Sequence, residues 1–595
     1  MTDKRLNATS TIAAVILLFT ACFILYRTSL KVPFLFDDLL FISSNSSSNW
    51  GISVFFHNMG IFISRPLLGL SFAANYEISR NSPAGFHIGN LIIHSINCSL
   101  IFFVLKKLLR TTYGELTILN KNIVSFSGAL FFLVHPLATE SVTYVSGRSS
   151  LLYTMFLLLS VLLYISFEEN KGEWKWFFYG FSLLAYVASL ASKEIAAICP
   201  LILIAVIFFF LLRDNKKLNL IPILPFFFIP IATVLLRKAS LLSGASPDGT
   251  SRNIIVQLMT EIYVLAESVF KVLFPVNLNF DPDYSDITTP IDSGFFIGLI
   301  VLTFMIAAVF YVRKKNPFIV FSILFFLISF SPHLFIRLRD YMSERWLYFP
   351  LISVSFLIAG ILATTSGKNQ ARGFVKYSPA AIIFVVIVIF SALTLSRLEV
   401  WQSADLIWTD TVKKSPGKFR VHANLGHVFL REEKFPEAEK ELLKAININK
   451  EYAEVHYDLA QVYSNLGKDE LAYAEYGNAL KYMTYYDDPA YSVYYNSMIN
   501  MGVISFKNGD KQKAMELFSN AIKLDNRYPQ AFNNLGIVFM NMGDMEKAEL
   551  NFLMALNRDP KYAMAYYNLA DVYIKEGRND EAAEILKKVK SVKPD

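Results

Sequence analysis

The sequence predicts an all-α protein in two parts: a polytopic membrane helix bundle over residues 1–397 and a solenoid of short helical hairpins over 398–595. Three observations carry this. Hydrophobic residues make up 54% of the 595, aromatics 15% and charged residues only 18%, with 52 Phe, whereas a soluble protein is nearer a quarter charged. The formal net charge of +7 is uneven, +11 over the first part and −4 over the second. Apolar runs long enough to cross a bilayer recur through the first part, and the second repeats with a period of 34. Together these exclude a disordered chain, a nucleic-acid binder and a small disulfide scaffold.

In chain order, eleven spans are expected, at about 8–26, 88–109, 122–140, 149–167, 174–191, 195–212, 218–237, 294–312, 317–336, 346–364 and 378–396. Lys4 and Arg5 precede the first, with no small-residue cleavage site after it, so it reads as a retained anchor. Residues 254–274 are apolar and helical in period but contain Glu261, Glu267 and Lys271. Leaving them out of the membrane makes every inside loop basic, from Lys106, Lys107, Arg110 and Lys121 through Lys216 and Lys314 to Lys376. They are therefore expected to pack at the outer surface or dip in without crossing. The N-terminus is then cytoplasmic and the second part non-cytoplasmic. Cys22, Cys98 and Cys199 each lie in an apolar run and are expected as small core residues.

The second part aligns in columns. Leu425-Gly426, Leu459-Ala460, Met501-Gly502, Leu535-Gly536 and Leu569-Ala570 start each unit. An aromatic follows at Phe429, Tyr463, Phe539 and Tyr573, then Ala438, Ala472, Ala514, Ala548 and Ala582. This is the tetratricopeptide pattern, a helical hairpin per repeat. Five repeats are expected at 419–452, 453–486, 495–528, 529–562 and 563–595, with a Tyr-rich insert before the third. Ala404, Trp408 and Pro416 match a leading half-repeat. Such a stack offers a concave groove for a peptide or protein.

The outside loops carry isolated charges in apolar surroundings: Asp37, Asp38, Arg65, Arg148, Lys193, Glu194, Arg237, Arg337, Glu344 and Arg345. Charge at such depth is costly and marks function, so a polar chamber is expected there. An apolar setting raises the proton affinity of a carboxylate, which suits Asp37 or Asp38 to act as a base; the alternative is a turn or cap. His87, Asn90 and His94 recur on one helical face, where they either hold a metal or form a hydrogen-bonded seam. His135 and Glu140 follow Arg65-Pro66 and precede Gly147-Arg148.

In this order, the Phe-Asp-Asp loop, Arg65-Pro66-Leu67, Phe86-His87-Ile88-Gly89-Asn90, His135-Pro136 with Glu140, Gly147-Arg148, Lys193-Glu194 and Glu344-Arg345 with Tyr348 resemble the transmembrane-and-tetratricopeptide-repeat O-mannosyltransferases. The resemblance covers nearly the whole chain. It implies a GT-C glycosyltransferase that takes a sugar, mannose or another hexose, from a polyprenyl or dolichyl phosphate. The sugar passes to an acceptor across the membrane, and the catalytic motif falls on Asp37 and Asp38. The substrate-binding set is then Arg65, His87, His94, His135, Glu140, Arg148, Lys193, Glu194, Arg237, Arg337, Glu344 and Arg345. The relatively few repeats and the absence of cysteines outside the membrane point to a bacterial or archaeal plasma membrane rather than the endoplasmic reticulum. A phosphate leaving group needs cations more than a proton, and guanidinium suits it. Direct displacement inverts the anomeric carbon. A divalent metal is compatible with this chemistry, but a monophosphate donor does not demand one, so no cofactor is required. The rival functions are a non-catalytic anchored repeat scaffold and a lipid-linked glycan ligase or transporter.

Overall fold

The computed structural model describes residues 2–39, 65–113, 116–214, 219–236, 253–336, 338, 340–367, 374–482 and 488–592. The chain forms two compact units, Met1–Lys414 and Ser415–Asp595. Among the described residues there is no strand.

The first unit contains α1 (Thr2–Leu25), α2 (Pro66–Ser79), α3 (Pro83–Thr112), α4 (Ile118–Val134), α5 (Ala138–Thr143), α6 (Arg148–Glu169), α7 (Lys175–Leu190), α8 (Cys199–Asp214), α9 (Leu224–Leu236), α10 (Ile254–Leu273), α11 (Ser293–Val312), α12 (Pro317–Phe335), α13 (Ile352–Gly367), α14 (Phe374–Val400) and α15 (Ala404–Lys414). Each of the eleven apolar runs falls on a helix. Among the described residues, seven stretches are long and apolar enough to cross a membrane; Ile118–Val134, Ile221–Ile231 and Ile352–Thr364 are apolar but shorter. The run at 174–191 forms the 16-residue α7. In α11, Ile300, Phe304 and Phe310 are all more than 60% exposed. A helix that apolar all round is stable only where lipid covers it. The first unit is that of an integral membrane protein.

Inside the bundle the helices touch closely. A side chain at Gly128 on α4 would meet Leu105 of α3 at 2.7 Å and the Ser355 carbonyl of α13 at 3.0 Å. Ser355 Oγ donates to the Gly128 carbonyl at 2.8 Å across the same contact. The charged helix α10 turns Gln257, Glu261 and Lys271 into the protein. Gln257 Nε2 donates to Glu261 Oε1 at 2.9 Å, and Lys271 Nζ donates to Tyr284 Oη at 3.4 Å. Its polar residues are thereby kept from lipid. All three cysteines are buried and free.

Helix α15 is the leading half-repeat of the sequence, yet it belongs to the first unit. A lone half-repeat has no partner helix, and it buries Ile407 and Trp408 instead. Trp408 meets Phe36 at 5.1 Å and Phe280 at 5.3 Å. The unit boundary therefore lies after Lys414, not at 397/398.

The second unit stacks five hairpins: Phe419–Arg431 with Phe435–Ile448, Ala453–Asn465 with Asp469–Lys481, Asp488–Lys507 with Lys511–Leu524, Pro529–Met542 with Met545–Arg558, and Ala563–Lys575 with Asn579–Val592. The repeated spacing is steric in origin. A side chain at Gly426 would meet Leu442 at 2.6 Å, and one at Gly502 would meet Phe518 at 2.5 Å. The alanine columns are buried. The Tyr-rich insert lengthens the first helix of the third hairpin, which starts at Asp488 rather than near 495. Pro489 lies in its first turn, where its missing N–H costs nothing.

Candidate active site

After α1 the chain passes through a 3-10 turn, Arg27–Lys31, into an extended stretch. His87 Nε2 donates to the Val32 carbonyl at 2.9 Å and pins this stretch to α3. Phe36 then adopts φ 47°, in the left-handed region. For a bulky side chain this stores about 1–3 kcal/mol. Aromatic packing holds it: Phe36 stacks on Phe280 at 5.0 Å and meets Trp408 and Tyr144 edge-on.

The turn gives the next two carboxylates different surroundings. Asp38 is 1% exposed. Its Oδ2 accepts from the Leu35 N–H at 3.1 Å, and its Oδ1 accepts from the Ser146 N–H at 2.8 Å and from Ser146 Oγ. Burial pushes its affinity for a proton up to a pKa of about 7, against the pull of those donors. Asp37 is half-buried. Its N–H donates to Tyr144 Oη at 3.0 Å. Among the described residues none donates to the Asp37 carboxylate.

A set of charges connects to Asp37. Burial opposes the cation of Arg345, and the charges of Glu140 first, then of Tyr144 and the Asp37 carboxylate, favour it. Arg345 lies over the Tyr144 ring at 5.7 Å, with Nε 3.8 Å from Glu140 Oε1. Glu140 accepts from Ser343 Oγ at 2.9 Å and from the Arg345 N–H at 3.0 Å. Burial pushes Glu140 up to about 7. Lys193 Nζ donates to Ser150 Oγ at 3.0 Å. Burial first, then the charges of Arg65 and Arg345, pull it down to about 7, partly offset by Glu194 and Glu140. Arg65 pairs with Glu194 through Nη2 at 3.1 Å and Nε at 3.2 and 3.3 Å, and both side chains remain one-third or more exposed. Asp37, Arg345, Glu140, Lys193, Arg65 and Glu194 thus form one electrostatic cluster.

Other residues of the expected set build the frame. Arg148 is buried, and it donates to Asn90 Oδ1 at 2.7 Å, Asn75 Oδ1 at 2.8 Å and the Phe86 and Ser71 carbonyls at 2.8 and 3.2 Å. Gly89 leaves room for it, since a side chain there would meet its Nη2 at 2.9 Å. A guanidinium so engaged is not available to a phosphate. Arg148→Ala should therefore destabilise the protein by about 3–5 kcal/mol, the cost of breaking a buried polar network. A lowered thermal midpoint of the detergent-purified variant measures it; an unchanged midpoint would return Arg148 to the substrate set.

His94 Nδ1 bonds Tyr348 Oη at 2.7 Å. His135 Nδ1 accepts from the Leu137 N–H at 3.2 Å, so its Nε2 donates to the Val272 carbonyl at 3.0 Å. Asn90 Nδ2 donates to the Val142 and Tyr144 carbonyls at 3.2 and 3.3 Å. The His87, Asn90 and His94 face is a hydrogen-bonded seam that fixes the loops carrying Asp37 and Tyr144. Glu344 accepts from the Asn279 N–H and lies 3.6 Å from Arg397. Arg237 and Arg337 lie outside the described residues. Among the described residues, no three His, Cys, Asp or Glu side chains gather as a metal site.

Sequence reasoning passed over Tyr144, Ser146 and His333. His333 stacks on Trp346 at 4.9 Å and feels the charge of Lys193. Tyr144 and Ser146 stand just ahead of Gly147-Arg148, a signal too short to separate from an ordinary loop. The segment that supplies Phe280 also lines a cavity of about 810 Å³ with Tyr263, Glu267, Lys271 and Lys414.

Models of the tetratricopeptide repeat match residues 426–467 and 502–543, 529–562 and 554–595. The match to whole relatives is longer. Protein O-mannosyl-transferase F38B6.6 of Caenorhabditis elegans is 24% identical over 471 residues, 76% of this chain and 64% of that protein. Human protein O-mannosyl-transferase TMTC3 is 26% identical over 573 residues, 86% of this chain and 60% of that protein. The chain is similar to protein O-mannosyl-transferases over most of its length. Mouse protein O-mannosyl-transferase TMTC2 is a third, at 22% over 546 residues, 73% of this chain and 62% of that protein. The chain thus spans 60–64% of the length of these curated relatives. The resemblance read from the ordered motifs and these relatives agree.

Proposed function

We propose that the chain is a membrane glycosyltransferase that moves a hexose from a polyprenyl- or dolichyl-phosphate donor to a hydroxyl of a protein acceptor on the non-cytoplasmic face. The names of its relatives favour mannose and a protein acceptor. The observation that carries the chemistry is the division of labour in the acidic pair. Asp38 is tied into the frame, while the Asp37 carboxylate has no donor among the described residues and stands within electrostatic reach of Arg345.

The acceptor oxygen attacks the anomeric carbon as its proton passes to an Asp37 carboxylate oxygen. The bond from that carbon to the phosphate oxygen breaks, and the phosphate keeps the electron pair. Arg345, Lys193 and Arg65 stabilise the charge that grows on it. Attack opposite to departure inverts the sugar. Glu140 orients Arg345 through its backbone N–H and guanidinium. A non-catalytic scaffold gives no reason to hold these charges together in an apolar unit. The repeats bind the acceptor chain.

The test incubates the purified chain, in lipid discs, with labelled polyprenyl-phosphate mannose or glucose and candidate acceptor proteins. Transfer with an inverted anomer supports the proposal; donor binding without transfer to any hydroxyl would favour the scaffold. The site also sets a pH dependence. Lys193 loses its proton as pH rises through about 7, so kcat/KM for the donor should fall above that pH. Lys193→Arg keeps its charge and should carry the activity to higher pH. A profile identical to that of the native chain would remove Lys193 from the phosphate site.

A further inference from the structure

The cavity of about 810 Å³ in the first unit has no part in the proposed transfer. Its wall comes from the second half of α10, the loop over 276–287, the first turns of α11 and the end of α15. Phe270, Tyr263 and Tyr284 line it, and the two tyrosine rings meet edge to face, 6.2 Å apart at 75°, as a corner. Its charges are of both signs: Glu267, Asp283, Asp286 and Asp292 stand with Lys271, Lys413 and Lys414.

One of these charges is buried. Lys271 is only 8% exposed. Among the described residues its ammonium pairs with no carboxylate and reaches Tyr284 Oη at 3.4 Å and Met342 Sδ at 4.0 Å. Both contacts are long, and an ammonium has three protons to place. A buried donor held so loosely is costly, which calls for a ligand that accepts at this point. The other charges limit what that ligand is. Lys414 is committed to Asp410 Oδ2 and the Leu278 carbonyl, each at 2.7 Å. A phosphate would meet the four carboxylates of the wall with Lys271 and Lys413 alone to offset them. A hydroxyl both accepts and donates, so a polyol satisfies Lys271 and the carboxylates together. The rings offer apolar faces beside these polar groups.

We propose that this cavity binds a neutral saccharide. Lys271 donates to one hydroxyl, Asp283 at the exposed rim accepts from another, and the corner of Tyr263 and Tyr284 packs on the C–H face of the sugar ring. A sugar already carried by a protein and a free sugar present the same chemistry. The site lies on different residues from Asp37, Arg345 and Lys193, so it stands or falls apart from the proposed transfer.

The experiment uses the full chain in lipid discs and saturation-transfer difference NMR. The probes are methyl α-mannoside, methyl β-glucoside, and one Ser/Thr peptide with and without a single mannose. At least one methyl glycoside should bind. Tighter binding of the glycopeptide would identify a sugar carried by a protein as the source, and equal binding a sugar recognised without its carrier. Lys271→Met keeps the length of the side chain and should weaken binding about tenfold, the loss of one charge-assisted hydrogen bond. If that variant does not fold, Asp283→Ala decides: its side chain is exposed at the rim, and its loss should weaken binding by a similar factor. Asp37→Asn should bind the glycoside as the native chain does, whether or not it transfers sugar. No binding of either glycoside, native binding by a folded Lys271→Met or by Asp283→Ala, or loss of binding in Asp37→Asn would each overturn the proposal. So would displacement by polyprenyl-phosphate mannose or by an equal concentration of inorganic phosphate, or equal binding of the unmodified peptide.

Discussion

Asp37→Asn should lower sugar transfer by about 10²–10⁴-fold, the range a general base supplies, and leave the thermal midpoint of the protein where it was. The substitution keeps size and removes the proton acceptor, and among the described residues no protein donor relies on that carboxylate. Asp38→Ala should behave differently. It leaves the N–H of Leu35, the N–H of Ser146 and the Ser146 hydroxyl without their acceptor. Each buried orphan costs about 1–3 kcal/mol, so the variant should lose stability by several kcal/mol and lose activity with it. Donor binding separates the two, because Asp37→Asn should still bind the donor with the native affinity. Native activity in Asp37→Asn, with Asp38→Asn inactive but equally stable, would exchange the roles of the pair.

That contrast marks the limit of what the sequence makes legible. The helices are plain from apolar runs, because a bilayer imposes length and composition on anything that crosses it. The repeats are plain because Gly426 and Gly502 face Leu442 and Phe518 so closely that the column tolerates little else. The acidic pair is also visible as a pair. Which carboxylate is tied depends on Ser146, more than a hundred residues away, and on a left-handed Phe36 wedged between Phe280, Trp408 and Tyr144. Long-range contacts of that kind leave no local pattern. Arg148 illustrates the reverse error. In sequence it is a lone cation in an apolar loop, like Arg345. Only the arrangement of Asn75, Asn90 and Phe86 around it shows that the protein itself supplies its acceptors. The unit boundary was hidden for the same reason: α15 has the spacing of a repeat, but its Trp408 packs on the Asp37 loop.

This packing decides where the repeats can be removed. A chain ending after Lys414 keeps the whole first unit, and it should insert, bind the donor and turn over a short soluble acceptor at close to the native rate. Its kcat/KM on a long protein acceptor should fall by about 10²-fold or more. On the proposed function the reason is tethering: a groove on the same chain as the acidic pair would present its bound acceptor at an effective concentration far above that in solution, and a truncated chain must find the same acceptor by diffusion. A chain ending after Ser396 should fail on both acceptors. It lacks Arg397, which pairs with Glu344 at 3.6 Å and with Asp410 at 2.8 Å. It also lacks the buried Trp401, and Trp408, one of the rings that hold Phe36 in its strained conformation. Losing them frees the Asp37 loop, so its thermal midpoint should drop along with its activity. Steady-state kinetics on a short peptide and on the full acceptor, for both truncations beside the native chain, read all of these effects together. A well-folded chain ending after Lys414 that modifies the full acceptor as fast as the native enzyme would show that acceptor binding lies in the membrane unit instead.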